Sequence, residues 1–246
     1  MKLSIIIPIF NEVELLEKVL ETVRAKAPEP KELILVDDCS TDGTLEILKR
    51  EEGKPHTVVR YHSRNRGKGA AIRTGLTAVT GDIVIIQDAD FEYDPGEIAA
   101  VIQPIVEGRA RVAYGSRFMG KVVGMRLANR IANRILAWTV RLLYRARLTD
   151  EATAYKAFRS ELICRLPLQC RRFEFCPEVT AVTLRLGETI VETPVTYRAR
   201  TFEEGKKIGW RDFVTAIRYL IAVRFRSVRL LDEPVNGAGR MRVSGE

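Results

Sequence analysis

The feature that most restricts this chain is a series of short apolar runs, each ending in a polar turn and followed by a stretch with helical spacing. Residues 3–9, 32–36, 57–61, 83–86 and 112–114 form the runs; residues 12–24, 42–50, 68–79 and 95–106 form the intervening segments. In the first of these segments Val13, Leu16, Val19, Leu20 and Val23 recur at helical intervals, and Pro95 opens the last, where helices favour proline. Strands apolar on both faces and alternating with amphipathic helices predict an α/β fold with a mostly parallel central sheet flanked by helices. In such sheets ligands bind beyond the carboxyl ends of the strands. Two acidic pairs sit at those ends: Asp37-Asp38 after the second run, and Asp88-Ala89-Asp90 after the fourth.

The second half is less regular. Residues 125–147 suggest a long helix on which Arg126, Arg130, Arg134, Arg141 and Arg145 fall within a stripe of about 100°. Leu127, Ile131, Ile135, Trp138, Leu142 and Leu143 occupy the remaining side. A further helix over 178–186, a strand over 189–197 and a basic amphipathic helix over 210–226 follow, and 227–246 read as a flexible tail.

Charge is unevenly spread. The chain of 246 residues carries a net +8, and from Arg109 to Thr149 there are ten basic residues and no acidic one. Such territory implies an anionic partner. A nucleic-acid-binding protein would explain the basic half but not the acidic strand ends, and no aromatic-rich binding motif accompanies it. With 46% apolar residues the chain can bury a core. No apolar run approaches the ~20 residues that cross a bilayer, and the N-terminal run is too short and too soon interrupted by Pro8 and Asn11 for a signal peptide. The expectation is a cytoplasmic protein, soluble or peripheral. Cys39, Cys164, Cys170 and Cys176 make no metal-binding pattern, and the isolated His56 and His62 are read as surface residues without a catalytic role.

Two carboxylates one residue apart, as at Asp88 and Asp90, can converge on Mg²⁺ or Mn²⁺, which prefer oxygen ligands shared with substrate phosphates; Glu92 and Asp94 follow in the same loop. A polar strand-end turn explains the same spacing. Asp37 or Asp38 can accept hydrogen bonds from a base or ribose, or simply turn the chain into the next helix. Asn65-Arg66-Gly67-Lys68-Gly69 supplies flexible backbone and a cation ahead of a helix N-terminus, a phosphate neighbourhood without P-loop spacing.

Taken in order, Pro8-Ile9-Phe10-Asn11-Glu12, Val36-Asp37-Asp38-Cys39-Ser40, Asn65-Arg66-Gly67-Lys68-Gly69, Gln87-Asp88-Ala89-Asp90, Gly115-Ser116-Arg117, Thr149-Asp150-Glu151-Ala152, Phe173-Glu174-Phe175 and Arg200-Thr201-Phe202 resemble the motifs of family 2 glycosyltransferases. Within that family they are similar to the dolichol-phosphate mannose synthase and polyprenyl-phosphate sugar synthase branch. The resemblance implies a GT-A fold over 1–226, with a Rossmann-like nucleotide-sugar half at 1–117 and an acceptor half at 118–226. It implies that Pro8, Phe10, Glu12, Asp37, Asp38, Lys68, Ala89 and the metal-holding Asp88 and Asp90 surround the nucleotide sugar, with Glu92 as a further metal ligand. Arg200, Lys206 and Lys207 would face the donor diphosphate, and Arg117, Arg126 and Arg130 the acceptor phosphate, with Asp90 and Arg117 catalytic. Cys39, Ala154 and Cys176 depart from the family pattern, the last two on the acceptor side.

The implied reaction moves a hexose from GDP-mannose or UDP-glucose to a polyprenyl or dolichyl phosphate, with inversion. A hydroxyl acceptor would need a general base, and no carboxylate is left unassigned to serve. A phosphate monoester, with its second pKa near ~6, is already a nucleophile at neutral pH. Saccharide or lipid hydroxyl acceptors stay open, as does nucleotidyl transfer, which usually wants a Gly-rich loop that is missing here. The basic helices suggest peripheral attachment at the cytoplasmic face of a membrane.

Overall fold

A computed structural model of the chain describes residues 1–200 and 210–236. The first half alternates as the apolar pattern predicts: β1 (Leu3–Ile9), α1 (Leu16–Lys26), β2 (Lys31–Asp37), α2 (Thr44–Glu51), β3 (Thr57–Tyr61), α3 (Lys68–Leu76) and β4 (Ile83–Ile86). A 3₁₀ turn at Pro95–Glu97, held by the Asp94 carboxylate accepting from the Gly96 N–H, leads into α4 (Ile98–Val106) and β5 (Val112–Ser116). Then come β6 (Val122–Val123), α5 (Leu127–Tyr144), β7 (Lys156–Arg159), α6 (Ser160–Ile163), α7 (Phe175–Arg185), β8 (Ile190–Pro194), β9 (Tyr197–Arg198) and α8 (Trp210–Phe225).

Seven strands form one sheet in the order β3-β2-β1-β4-β7-β5-β8, parallel except for β7, which runs antiparallel to both neighbours. Register pairs Ile5 with Leu33 and with Ile85, so β1 is central in the sheet, and all of its residues are buried. Alternation splits the core in two: Ile6, Ile34, Val84 and Phe158 pack on one face, and Ile5, Leu33, Ile85 and Ala157 on the other. Each fully buried Ile or Leu contributes about 1.5–3 kcal/mol of transfer free energy, which is why runs such as Ile5-Ile6-Ile7 define the sheet's centre.

Strand β7 is absent from the sequence reading. It has four residues, and charged Lys156 and Arg159 bound it, so no apolar run marks it. Lys156 is nonetheless fully buried, its Nζ donating to the Glu151 carbonyl at 2.7 Å and to Thr180 Oγ1 at 3.2 Å. A second correction concerns residues 227–236 of the expected flexible tail. Val228 and Leu230 pack on the core, Leu231 N–H donates to the Arg165 carbonyl, and Val235 N–H to that of Cys164.

Helix α5 settles a facing that the sequence reading leaves open. Leu127, Ile131, Ile135, Trp138 and Leu142 face outward, while Leu136, Ala137 and Val140 meet the core. The helix is apolar on two opposite sides, so periodicity alone could not say which one the core would take.

Candidate active site

Strand order reverses between β1 and β4, the place where α/β sheets open a crevice at their carboxyl ends. A cavity of about 530 Å³ lies there. Its walls include Pro8 near the end of β1, Phe10 and Glu12 after it, Asp38 after β2, Lys68 and Ala71 on α3, and Asp88, Ala89, Asp90 and Glu92 after β4. Arg172, Phe173, Tyr197 and Arg200 close it from the second half of the chain.

The acidic residues of this cavity are matched by cations. Lys68 Nζ lies 2.5 Å from Asp88 Oδ1, and Arg200 Nη2 lies 2.7 Å from Asp90 Oδ2. Arg200 also reaches Glu12 at 3.1 Å. Burial acts to lower the Lys68 pKa, but the Asp88 carboxylate, with smaller contributions from Cys176 and Glu92, outweighs it and the pKa is raised. Glu92 fixes the Arg200 backbone instead, its carboxylate accepting from the Arg200 N–H at 3.0 Å while its carbonyl accepts from Arg198. Asp90 Oδ1 in turn accepts from the Glu92 N–H at 2.9 Å, closing a turn in the loop after β4.

The two aspartates after β2 separate in role. Asp37 is buried off the cavity, and its carboxylate accepts from the backbone N–H groups of Cys39 and Ser40 at 3.0 and 3.1 Å. It shapes the turn and does not line the cavity, whereas the resemblance implies a place for it beside a nucleotide. Asp38 lines the cavity and accepts from the N–H groups of Arg66 and Gly67 at 2.7 and 2.6 Å. His62 Nδ1 lies 2.7 Å from Asp38 and its Nε2 lies 2.9 Å from Thr74 Oγ1. The expected surface histidine is therefore buried, clamping the end of β3 to the turn after β2 and to α3; its partners come from other segments and leave no trace beside it in sequence.

The N-terminus of α3 is not open to a phosphate. Gly69 N–H donates to the Arg172 carbonyl at 3.0 Å and Ala70 N–H to the Arg171 carbonyl at 2.9 Å, so these orphan donors are already used. From this segment Asn65, Gly67 and Lys68 line the cavity, and Lys68 brings a cation to it. Arg172 and Phe173 were missed as wall residues because their approach depends on this long-range docking, although Phe173 belongs to a motif visible in the sequence.

Arg117 also differs from expectation. Its guanidinium is buried and bidentate on Asp150, with Nε to Oδ2 and Nη2 to Oδ1 both at 2.7 Å, and its own N–H adds a third bond to Asp150 at 2.9 Å. It stands behind Tyr197, 5.1 Å from that ring's centre, and does not present itself to an acceptor. Arg126 and Arg130 are exposed at the start of α5, which follows β6, where the Val123 carbonyl accepts from the Ala199 N–H at 2.9 Å beside the Arg200 wall of the cavity. Lys206 and Lys207 lie outside the described residues.

Comparison with known proteins gives these features a family. Residues 4–164 match the model described as glycosyl transferase family 2. The undecaprenyl-phosphate mannosyltransferase of Micrococcus luteus is 29% identical over 245 residues, covering 93% of this chain and 98% of that protein. A UDP-N-acetylglucosamine–dolichyl-phosphate N-acetylglucosaminyltransferase of Methanococcus voltae is 28% identical, covering 85% and 92%. Among solved structures, glucosyl-3-phosphoglycerate synthase of Mycobacterium tuberculosis in complex with phosphoglyceric acid superposes with a TM-score of 0.68 at 22% identity, covering 90% of this chain and 78% of that one. The sheet, the switch-point cavity and the matched motifs agree: this chain is a glycosyltransferase of the GT-A fold and belongs to glycosyl transferase family 2.

Proposed function

We propose that the cavity binds a nucleotide sugar, GDP-mannose or UDP-glucose, and that the enzyme passes its hexose with inversion to a polyprenyl or dolichyl phosphate. The observation that carries this is the pairing of Asp88 and Asp90 with Lys68 and Arg200 on the walls of one cavity. That constellation suits a diphosphate bound with a divalent cation. Relatives similar along nearly their whole length are named for undecaprenyl-phosphate and dolichyl-phosphate acceptors, which supports the acceptor class.

The donor set fits Mg²⁺ or Mn²⁺. Among the described residues no three His, Cys, Asp or Glu side chains form a closed metal cluster. Two aspartates open to a cavity match the habit of such cations to complete their shell with water and substrate phosphate. Asp88 and Asp90 would hold the ion. Glu92, committed to the Arg200 N–H, would act on it through Arg200. Related structures crystallised with Mn²⁺ and uridine diphosphate, or with Mg²⁺ and uridine diphosphate, are in keeping with this. When bound, the cation supplies Lewis-acid stabilisation of charge growing on the leaving diphosphate.

The chain's own residues do the rest. Lys68 and Arg200 add fixed positive charge where the diphosphate departs, the kind of preorganised electrostatics that dominates catalysis. Pro8, Phe10, Glu12, Asp38 and Ala89 would form the donor's surroundings, with Asp38 holding the 65–67 loop against them. Arg126 and Arg130 are the candidates for orienting the acceptor phosphate. Arg117 becomes a positioning residue that fixes the Asp150 loop and Tyr197. The proposed setting is the cytoplasmic face of a membrane, with peripheral attachment; no helix among the described residues is long and apolar enough to cross one.

The test is a donor panel of GDP-mannose, UDP-glucose and related nucleotide sugars, with polyprenyl phosphate and Mg²⁺ or Mn²⁺. Radiolabelled sugar entering the organic phase with one donor, and only with the metal present, is the expected result. No transfer to lipid phosphate with any donor would reject the acceptor.

A further inference from the structure

Among the described residues the cavity wall sets three cations, Lys68, Arg172 and Arg200, against five carboxylates. Lys68 is paired with Asp88, and Arg200 with Asp90 and Glu12. Arg172 is exposed and has no carboxylate partner among the described residues. The nearest acid in sequence, Glu174, serves the backbone instead, its carboxylate accepting from the Arg171 N–H at 3.0 Å.

The backbone that carries Arg172 is held from three directions. The Arg171 and Arg172 carbonyls are bonded to the N-terminus of α3. Glu178 on α7 is fully buried, and its Oε2 accepts from the Gln169 and Cys170 N–H groups at 2.9 and 2.7 Å. Arg226, just past α8, donates to the Gln169 side chain at 3.1 Å and to the Pro167 carbonyl at 3.3 Å. The Arg172 side chain then leaves over Gly67, where a Cβ would come 2.8 Å from its Cγ, one residue before Lys68. A guanidinium carried on a backbone already fixed has less freedom to lose when it binds.

Charge says what it binds. A phosphate monoester is close to a dianion at neutral pH, and in this cavity it meets more carboxylates than cations. Lys68 and Arg200 can turn to a phosphate only by releasing an acid, whereas Arg172 releases nothing. Its planar fork also matches phosphate oxygens with two parallel N–H···O bonds. The proposed donor diphosphate has Lys68, Arg200 and the metal ion to face. The acceptor phosphate has lost Arg117 to Asp150, which leaves Arg172 as the wall cation for it among the described residues.

We propose that Arg172 binds the phosphate of the acceptor from the cavity wall and so selects a phosphorylated acceptor over a hydroxyl one. The inference deepens the proposed function and rests on its lipid-phosphate acceptor. In the transfer an acceptor phosphate oxygen bonds to the anomeric carbon as that carbon's bond to the diphosphate oxygen breaks, and the electron pair leaves with the nucleoside diphosphate. The acceptor's monoester dianion becomes a diester monoanion. Arg172 therefore holds the acceptor more tightly than the product, and its loss acts on the acceptor KM rather than on kcat.

Initial rates with saturating donor and Mn²⁺, against a short-chain polyprenyl phosphate, test this alongside calorimetric titration of nucleoside diphosphate with Mn²⁺ into the same proteins. Arg172→Gln should raise the acceptor KM by about ten- to a hundredfold, the scale of a lost hydrogen bond to a charged group. Its kcat and its nucleotide affinity should stay near those of the parent. Arg172→Lys, which keeps the charge and loses the fork, should fall between. Both variants should melt as the parent does, since the bonds that fix this segment use the Arg172 carbonyl and not its side chain. An acceptor KM at the parent's value would overturn the inference and leave the proposed function standing. So would a nucleotide affinity weakened by as much as the acceptor's, which would move Arg172 to the donor diphosphate. A parent enzyme that transfers sugar to no lipid phosphate would bring down both.

Discussion

Arg200 and Asp90 face one another across the cavity mouth, Nη2 to Oδ2 at 2.7 Å, although 110 positions separate them in the chain. The same guanidinium reaches Glu12, so one cation ties the loop after β1 to the loop after β4. The protein thus sets its own arginine against a proposed metal ligand.

A cation entering alone has to displace that contact. Arg200→Gln should therefore bind Mn²⁺ more tightly than the parent when nucleotide is absent, by up to about fivefold, the scale of a partly solvated ion pair. It should bind nucleoside diphosphate with Mn²⁺ more weakly, because the charge facing the diphosphate is gone. Electron paramagnetic resonance of free Mn²⁺, with and without nucleotide, reads both arms; weaker metal binding in the nucleotide-free arm would contradict the reading.

Asp90→Ala should reduce sugar transfer by at least ~10²–10³-fold, the loss typical when one preorganised electrostatic partner is removed. The fold should survive, because Asp90 sits at the cavity rim and the backbone N–H that its carboxylate accepts from, that of Glu92, belongs to its own loop. Initial rates and circular dichroism on the same preparation separate the two effects, and activity within tenfold of the parent would remove Asp90 from the mechanism.

Asp150→Ala leaves the Arg117 guanidinium buried without its carboxylate, and breaking a buried pair by one partner costs about 3–5 kcal/mol. Denaturant unfolding should show a loss of that size. A loss below ~1 kcal/mol would mean that Arg117 finds another anion, and its assignment as a positioning residue held by Asp150 would fall.

Gly67 has φ +92°, and a Cβ there would collide with the Arg171 carbonyl and with the Arg172 side chain. Gly67→Ala should therefore destabilise the protein by about 1–3 kcal/mol through backbone strain alone, and it should weaken nucleotide binding by displacing the loop that Asp38 holds. Thermal melts and nucleotide titration test the pair; unchanged values in both would show that the loop relaxes freely.

Glu32 supplies a pH dependence. Burial works against its charged form, but donation from Lys2, Ser4 and Thr80 more than compensates, and its pKa is held below the usual carboxylate value. A depressed pKa stabilises the fold above the unfolded value of about 4.3, and that stability is lost as pH falls through the lower folded value. Glu32→Gln should cost about 1–3 kcal/mol at neutral pH, and the gap to the parent should close in acid below the folded pKa. A gap that stays constant with pH would show that packing, not charge, holds the site.

The sequence by itself determined most of the first half. Runs such as Ile5-Ile6-Ile7 and Ile83-Val84-Ile85-Ile86 are strands because only burial on both faces accommodates them, and the bounds of β1, β3 and β4 coincide with the apolar runs. The acidic residues at the ends of those strands were legible as a site for the same reason, since a parallel sheet delivers its carboxyl ends to one edge. Tertiary structure alone decided which charges meet: Asp150 takes Arg117, Asp38 takes His62, and the Arg171 and Arg172 carbonyls fill the α3 N-terminus. It also turned the Leu127–Leu142 side of α5 outward and inserted β7 against the direction of its neighbours. Periodicity records which residues share a face of one element. Which face is buried, and which distant charge it meets there, depends on how the elements pack, and no local pattern carries that information.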